Sequence, residues 1–213
     1  DKAAALRVNE ISTISRAMSE RIRLAYQREA RIIYPPVEVE RFHPCVTREN
    51  YYVTLSRLVA HKRVDLIVQA FSRLKLPLLV IGDGPEYQHL RRMASANVQF
   101  LRNQSDEKVA ELLGKARGFV CATEEDFGIA IVEAQAAGCP IIAYGKGGAL
   151  ESVIEGVTGY FFAEQSVESL MDCVRRYENA SLQFCTDDLV QNSQRFSKER
   201  FIKEFTSFVE NAG

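Results

Sequence analysis

From residue 51 onward, short apolar runs alternate with longer segments that carry apolar side chains at helical spacing. The apolar runs predict six β-strands, at Tyr51–Ser56, Leu78–Ile81, Val98–Leu101, Phe119–Ala122, Ile141–Tyr144 and Tyr160–Phe162. The other segments predict helices at Val64–Leu74, Glu86–Ala96, Asp106–Ala116, Ile129–Ala137, Ala149–Ile154 and Val167–Glu178. Several strands are apolar throughout, as expected when both faces of a sheet are covered. The pattern therefore predicts an α/β domain with a doubly wound, mainly parallel, six-stranded sheet.

Both ends of the chain depart from this alternation. A polar helix is predicted over Ala17–Gln27, and the Pro35-Pro36 pair with the residues after it indicates an extended linker. Beyond Asp187 two further charged helices are predicted. In the last of them an apolar stripe falls at helical spacing, at Phe201, Phe205, Phe208 and Val209. Such a stripe needs a covering surface, and without one it predicts exposed apolar surface or self-association.

Composition and charge narrow the class of protein mainly by exclusion. Of the 213 residues, 46% are hydrophobic and 26% charged, which is typical of a soluble globular protein. Lys and Arg total 27 against 28 for Asp and Glu, so bulk charge gives no attraction for nucleic acid. Five scattered cysteines favour reduced thiols over disulfides or a metal site. No apolar run could span a bilayer and no signal peptide is visible, so we expect a cytoplasmic protein.

The strongest candidate for chemistry is an acidic pair, Glu125 and Glu133, eight positions apart around a Phe127-Gly128 turn. A predicted strand leads into this turn and a predicted helix leads out of it. The two carboxylates therefore flank the N-terminus of a helix at the end of a strand, where α/β proteins bind anionic ligands rich in hydroxyls. Backbone N–H groups of the turn can bind a phosphate, and the carboxylates can accept hydrogen bonds from sugar hydroxyls.

Two cations precede this pair in the sequence. Arg57 follows the first strand of the sheet, and Lys62 stands near the start of the next helix. They suit a diphosphate, because arginine offers a bidentate fork and lysine a point charge. Taken alone they would be solvated surface cations, but the acidic pair favours the functional interpretation. The turn Gly82-Asp83-Gly84 lacks the third glycine of the dinucleotide fingerprint, which argues against a Rossmann dehydrogenase.

These motifs resemble, in order and spacing, the C-terminal donor-binding half of a retaining glycosyltransferase of family four, which has the GT-B fold. Ser56-Arg57-Leu58, Gly82-Asp83-Gly84-Pro85-Glu86 and Gly138-Cys139-Pro140 contribute to the resemblance, which covers nearly the whole chain and is mannosyltransferase-like. It implies four parts: residues 1–34 as a remnant of the N-terminal acceptor domain, 35–50 as an interdomain linker, 51–183 as a Rossmann-like nucleotide-sugar-binding domain, and 184–213 as crossover helices. The acceptor domain itself would then be missing, and we expect the chain alone to bind donor but to transfer poorly.

The resemblance also implies roles for individual residues. Arg57 and Lys62 would hold the diphosphate, Glu125 the donor sugar and Glu133 the ribose, with Arg57, Lys62 and Glu125 counted as catalytic. The implied donor-binding set is completed by Gly82, Gly84, Phe127, Gly128 and Ile129, and the implied contacts to the base are Arg102 and Gln104. No cofactor and no metal are implied, because the two cations take over the electrostatic role of a metal ion.

The implied reaction moves a sugar from a nucleotide diphosphate to a polysaccharide or lipid-linked acceptor, with retention at the anomeric carbon. The run from Tyr144 to Glu151 favours GDP-mannose as the donor. A lipid-linked acceptor would bring peripheral contact with the inner membrane. Two alternatives stay open: another GT-B enzyme, such as a nucleotide-sugar epimerase or a glycogen-synthase-like transferase, and a donor-binding subunit without chemistry whose partner chain supplies the acceptor domain.

Overall fold

Six parallel strands form the central sheet of the molecule, which a computed structural model describes over residues 2–5, 7–45, 47–180 and 184–211. They are β3 (Tyr52–Leu55), β4 (Leu78–Ile81), β5 (Val98–Leu101), β6 (Gly118–Cys121), β7 (Ile141–Tyr144) and β8 (Gly159–Phe162). Near the N-terminus two short strands, β1 (Ser12–Thr13) and β2 (Arg31–Ile32), pair in parallel. The six apolar runs thus become the six strands predicted from the sequence, with bounds that differ by one residue at most.

The order of the strands across the sheet is β5-β4-β3-β6-β7-β8. The chain therefore builds outward from β3 to one edge, returns to the other side of β3, and builds outward again. Between β3 and β6 only Tyr52 and Val53 are in register with Gly118 and Phe119, so the carboxyl ends of these two strands are unpaired with each other. A crevice forms at such a switch point, outside the carboxyl ends of the strands.

Helices connect and cover these strands. They are α1 (Lys2–Ala5), α2 (Arg16–Tyr26), α3 (Val64–Leu74), α4 (Tyr87–Met93), α5 (Asp106–Lys115), α6 (Ile129–Ala136), α7 (Ala149–Ser152), α8 (Val167–Asn179), α9 (Thr186–Gln194) and α10 (Lys198–Asn211), with 3₁₀ turns at Val39–Arg41 and Ala60–Lys62. Within the described ranges, none of them has both the length and the apolar character required to cross a bilayer.

Two helices end earlier than the sequence predicts. Helix α4 stops at Met93 because Ala94 has extended backbone and the N–H of Ser95 donates to the Ser72 hydroxyl. Helix α7 stops at Ser152 because the next residue is extended and the N–H of Ile154 donates to the Thr158 hydroxyl instead. In the sequence, apolar side chains at helical spacing continue past both of these ends. In each case a side-chain hydroxyl accepts a hydrogen bond from a backbone N–H just beyond the helix, and the helix does not continue.

The two faces of the sheet are covered by separate layers of apolar side chains. One layer contains Phe71 of α3 and Leu170 of α8, and the other contains Leu113 of α5 and Ile131 of α6. The linker predicted as extended joins the second layer: it contains a 3₁₀ turn, and Val37, Val39 and Phe42 are buried. The linker is therefore part of the core, which corrects the expectation of a simple extended connection.

The linker also meets the end of the α/β unit. The N–H of Val37 donates to the Phe196 carbonyl at 2.9 Å, and Val37 forms a parallel bridge with Ser197. Helix α10 starts there, and the Arg200 guanidinium donates to the Tyr34 carbonyl at 2.9 Å. The predicted boundary between residues 183 and 184 adjoins residues 181–183, which lie outside the described part of the chain.

The apolar stripe predicted on the last helix is half exposed: Phe201 and Phe208 are partly buried, and the other two residues are exposed. Phe205 is 40% exposed and Val209 54%, and the Phe201 and Phe205 rings stack at 5.4 Å. Ile202, which the prediction did not include, is also 54% exposed. Self-association through this stripe stays a prediction.

Candidate functional site

A cavity of about 690 Å³ occupies the crevice where β3 and β6 diverge. The ends of β3, β4 and β6 and the start of α6 line it, and Ile14 and Pro35 close it from the side of the N-terminal segment. Eight of the residues predicted from the sequence lie along this one cavity: Arg57, Lys62, Gly82, Glu125, Phe127, Gly128, Ile129 and Glu133. Residues from three separate segments of the sequence therefore meet where the topology places a ligand.

Lys62 and Glu125 form an ion pair inside this cavity. The lysine Nζ lies 2.8 Å from each carboxylate oxygen of Glu125. Both side chains are largely buried, with exposed fractions of 24% and 22%. The sequence placed these residues at different parts of a ligand and did not predict that they touch. Each charge therefore fixes the position of the other.

Arg57 is the cation that remains available for a ligand. Its side chain is exposed and contributes to the lining of the cavity. Within the residues that the structure describes, its guanidinium has neither an ion-pair partner nor a hydrogen-bond partner. A guanidinium in this state can offer two parallel N–H donors to a phosphate or a carboxylate.

The N-terminus of α6 faces the same space. Gly128 precedes the helix with φ of 92°, a left-handed conformation that glycine adopts without strain. The first backbone hydrogen bond of the helix runs from the N–H of Ile131 to the Gly128 carbonyl. The N–H groups before it have no partner within the helix, so they can bind an anion in the cavity.

Glu133 lies one turn into α6, half-buried, with its side chain lining the cavity. Burial raises the pKa of its carboxyl above the ordinary value, while the charge of Arg41 opposes the shift. No hydrogen bond to the Glu133 carboxylate occurs in the described part of the chain. A desolvated carboxylate in this setting gains from a ligand that brings hydroxyl donors.

Contacts that were not predicted from the sequence support the loop that carries Glu125. Phe127 is buried, and its ring packs on Tyr34 at 5.8 Å and on Phe196 at 5.2 Å. The N–H of Gly148 donates to the Glu125 carbonyl at 2.7 Å. The run Tyr144–Glu151, which predicts the donor in the sequence, therefore also supports the loop around Glu125 (residues 124–128), called the acidic loop below. In the sequence, these contacts are indicated by Phe127 itself, an aromatic residue between three acidic residues and a glycine.

The N-terminal segment contributes a second set of contacts. Arg21 of α2 donates to Asp126 at 2.8 Å and lies 3.7 Å from Glu124, so it pairs with both neighbours of Glu125. On the other side, the Glu151 carboxylate accepts from the backbone N–H of Arg16 at 2.9 Å. The acidic loop and helix α7 therefore both form polar contacts with helix α2. These residues are more than a hundred positions apart, and no local pattern predicts such pairs.

Three residues predicted for the site do not line the cavity: Gly84, Arg102 and Gln104. Arg102 pairs with Asp83 at 2.6 Å, and the Gln104 amide donates to the Arg102 carbonyl. A Cβ on Gly84 would lie 2.3 Å from the carbonyl oxygen of Leu58, so this glycine permits close packing of two loops. Contact of Arg102 and Gln104 with a base stays a prediction, and in this structure both side chains have other partners.

The polar groups at the site are not arranged for a metal ion. Over the described ranges, no three His, Cys, Asp or Glu side chains cluster closely enough to hold one. Cys121 lines the cavity, and burial raises the pKa of its thiol to about 12, so it is a neutral thiol near pH 7. The lining contains two cations, Arg57 and Lys62, the N-terminus of α6, and four carboxylates. Of these carboxylates, Asp83 pairs with Arg102 and Asp126 with Arg21, which leaves Glu125 and Glu133 as the acids that a ligand can use.

Comparison with known proteins places this arrangement in context. Residues 38–196, about three quarters of the chain, match the family model described as Glycosyl transferases group 1. The chain is 30% identical over 196 residues to a GDP-mannose-dependent alpha-(1-6)-phosphatidylinositol monomannoside mannosyltransferase of Mycolicibacterium smegmatis. That alignment covers 77% of this chain and 51% of the relative, so the chain spans about half the length of that protein.

Solved structures share the fold. A sucrose-phosphate synthase from Thermosynechococcus elongatus superposes with a TM-score of 0.87 at 19% identity, covering 99% of this chain and 60% of that one. The Anabaena protein HepE, in complex with UDP and glucose, gives a TM-score of 0.83 at 19% identity, covering 95% and 63%. At these identities the likeness concerns the fold alone, and it confirms the predicted α/β architecture with its parallel sheet.

Proposed function

The chain belongs to the Glycosyl transferases group 1 family, and from this premise we propose that it forms the nucleotide-sugar-binding part of a retaining glycosyltransferase of family four. The observation that carries the proposal is the single cavity in which Arg57, Lys62, Glu125, Glu133 and the N-terminus of α6 meet. Cations and carboxylates side by side suit a ligand that is anionic in one part and rich in hydroxyls in another.

The diphosphate is assigned to the cationic part of the cavity. Arg57 has no competing partner in the described chain and can bind phosphate oxygens in a bidentate manner. Lys62 must exchange Glu125 for a phosphate oxygen, at least in part, when the ligand arrives. The unpaired N–H groups at the start of α6 add a third source of positive potential.

The hydroxyls are assigned to the acids, because a carboxylate repels phosphate and accepts hydrogen bonds. Glu133 is half-buried, has no hydrogen-bond partner for its carboxylate among the described residues, and would accept from the ribose hydroxyls. Glu125, beside Lys62, would accept from the hydroxyls of the transferred sugar. This assignment places the sugar on the Glu125 side of the diphosphate, so Lys62 would contact the phosphate next to the sugar.

In the proposed reaction the bond between the anomeric carbon and the diphosphate oxygen breaks, and a bond from the acceptor hydroxyl oxygen to the same carbon forms. The electron pair of the broken bond stays on the diphosphate, where Arg57, Lys62 and the helix N-terminus stabilise the added charge. The acceptor proton passes to the departing phosphate oxygen. Both partners react on one face of the sugar, which gives retention without a side-chain nucleophile.

For the donor we propose GDP-mannose, which supports a mannosyltransferase. The relative from Mycolicibacterium smegmatis is named as GDP-mannose-dependent, which favours this choice. The structure of HepE contains UDP and glucose, which makes a uridine nucleotide the natural competitor in any binding test. The acceptor, a polysaccharide or a lipid-linked sugar at the inner membrane, would be bound together with an N-terminal acceptor domain.

The test is calorimetric titration of the protein with GDP, UDP and ADP. We expect GDP to bind more tightly than UDP or ADP, and Arg57→Ala to weaken the binding of GDP about tenfold or more. Arg175→Ala is the matched control, because Arg175 lies on α8, outside the cavity, and pairs only with Asp172 in the described chain. If no nucleotide binds, or if both variants bind like the wild type, the donor site is wrong. Binding without transfer in the presence of an acceptor domain would favour a non-catalytic subunit.

A further inference from the structure

A buried hydroxyl connects the two loops that carry Lys62 and Glu125. Thr123 is 5% exposed, and its Oγ1 donates a hydrogen bond of 2.7 Å to the backbone carbonyl of His61. His61 directly precedes Lys62, and Thr123 lies two residues before Glu125. One side-chain contact therefore links the segment after β3 to the segment after β6, across the point where these strands diverge.

The loop after β3 is fixed firmly at its base and less so at its tip. At the base, the N–H of Leu58 donates to the Asp83 carbonyl, and the N–H of Glu86 donates to the Leu58 carbonyl. At the tip the backbone forms only the short 3₁₀ turn Ala60–Lys62. In the described chain two hydrogen-bonding contacts attach this turn to the acidic loop: the Lys62–Glu125 ion pair and the bond from Thr123 to His61.

These two contacts respond differently to an anionic ligand. A diphosphate competes with Glu125 for the Lys62 ammonium, because both are anions that accept from the same donor. The bond between the Thr123 hydroxyl and the His61 carbonyl joins neutral groups, and its burial protects it from water. It can persist when the ion pair is exchanged for a phosphate contact.

We propose that Thr123 is a positioning residue of the donor site, an inference that rests on the proposed function. Its hydrogen bond holds the turn that bears Lys62 at a fixed distance from the acidic loop, so the lysine stays within reach of the sugar-side phosphate while Glu125 engages the sugar. Thr123 itself does not act on the reacting atoms.

The variants that test this are Thr123→Val, which keeps the shape and removes the hydroxyl, and Thr123→Ser, which keeps the hydroxyl. Calorimetry with whichever of GDP, UDP or ADP binds the wild type measures the effect, with the matching monophosphate as a second probe. We expect Thr123→Val to weaken diphosphate binding about three- to tenfold and Thr123→Ser by less than about twofold. The affinity for the monophosphate should be unchanged, because Lys62 is assigned to the phosphate next to the transferred sugar, and a nucleoside monophosphate lacks that phosphate.

A double-mutant cycle separates positioning from a general structural role. In a Lys62→Met background, Thr123→Val should cause no further loss of diphosphate affinity, because the group it positions is gone. Circular dichroism and Tm check folding, and Thr123→Ala replaces Thr123→Val if the valine variant does not fold.

The outcomes are distinct. Thr123→Val that binds the diphosphate like the wild type overturns the inference and leaves the donor site intact. The inference is also overturned if Thr123→Val loses equal affinity for the monophosphate and the diphosphate, or if it loses equal diphosphate affinity in the wild-type and Lys62→Met backgrounds. In either case Thr123 would only support the fold. If the wild type binds no nucleotide, the proposed function fails and the inference falls with it.

Discussion

The ammonium of Lys62 bridges both carboxylate oxygens of Glu125 at 2.8 Å, in the gap where the third and sixth strands separate. Each side chain is about three quarters buried, so losing one partner leaves the other charge partly desolvated and alone. The ion pair thus neutralises the charge of Lys62. The proposed donor must therefore offer a phosphate oxygen to Lys62 and a hydroxyl to Glu125 at the same time.

Opposite effects on nucleotide binding are expected from replacing the two partners. Lys62→Met should weaken the nucleoside diphosphate about tenfold or more, because it removes a cation from the phosphate site. Glu125→Gln should leave the same affinity unchanged or increase it, because the lysine no longer has a competing anion. Calorimetry measures both, and a Glu125→Gln variant that loses diphosphate binding as Lys62→Met does would argue against the assignment.

Glu133 should make donor binding sensitive to acid at a higher pH than an ordinary carboxyl would. Its pKa is raised by burial, so on acidification it takes up a proton early and loses an acceptor for the ribose. Affinity should fall as pH decreases through this raised pKa. Glu133→Gln should bind about five- to tenfold more weakly at neutral pH, and in calorimetry it should lose less affinity than the wild type as the pH is lowered.

Glu133 should lower the stability of the folded protein at neutral pH, although its carboxylate strengthens donor binding there. A carboxyl whose pKa is raised on folding stabilises the protein below its ordinary pKa of 4.5, and this stability is lost as pH rises through the folded value. Glu133→Gln should therefore raise the Tm of the free protein at neutral pH. Glu111→Gln is the contrasting control, because Lys108 and Lys115 lower the pKa of Glu111 to about 2 and its removal should not stabilise. A lower Tm for Glu133→Gln would contradict this account.

Gly82 should be among the least replaceable positions in the chain. A Cβ there would lie 1.9 Å from the Ser56 carbonyl oxygen, so alanine must displace the backbone that leads into Arg57. We expect Gly82→Ala to cost about 3 kcal/mol or more in the free energy of unfolding. Gly156→Ala is the matched control: φ is 76°, but no heavy atom of the described residues would lie within 4 Å of the added Cβ, so it should cost only about 1 kcal/mol. Urea denaturation measures both changes in the free energy of unfolding. Equal losses would show that the positive φ, and not the contact with the Ser56 carbonyl, sets the cost at Gly82.

Arg21 should contribute little to stability and more to the order of the acidic loop. The guanidinium is 56% exposed and Asp126 51%, so we expect Arg21→Ala to cost less than about 1 kcal/mol. Arg23→Ala, on the same helix and paired with Glu20, is the control. Hydrogen exchange of residues 124–128 should speed up in Arg21→Ala and stay unchanged in Arg23→Ala. The difference should shrink at high salt, because the pair is screened.

Local chemistry decided which parts of the fold the sequence could predict. Val64–Leu74 and Ile141–Tyr144 have the predicted bounds, because apolar periodicity and flanking turn residues act within one element. Burial of residues 37–42 was not predicted, although Val37, Val39 and Phe42 are apolar positions among charged ones. The preceding Pro35-Pro36 pair favours an extended connection instead.

Long-range pairing explains what the sequence could not predict at the site. The spacing of Glu125 and Glu133 located the crevice, since both follow one strand. That Lys62 would pair with Glu125, or that Arg21 would flank it, depends on how separate segments meet. The pairing of Arg102 with Asp83 depends on side-chain direction, which residue type does not encode.

The hydrogen bond from Val37 to the Phe196 carbonyl joins the two places where the chain enters and leaves the α/β unit. The family match begins and ends at the same point, covering residues 38–196. This unit is a length of chain whose two ends already touch, so joining them directly and opening a surface loop elsewhere would require little extra closure entropy. A circular permutant of this unit would keep the crevice walls that β3, β4, β6 and α6 provide, whereas Ile14, Pro35 and Arg21 belong to the flanking segment and would have to be kept in place beside it.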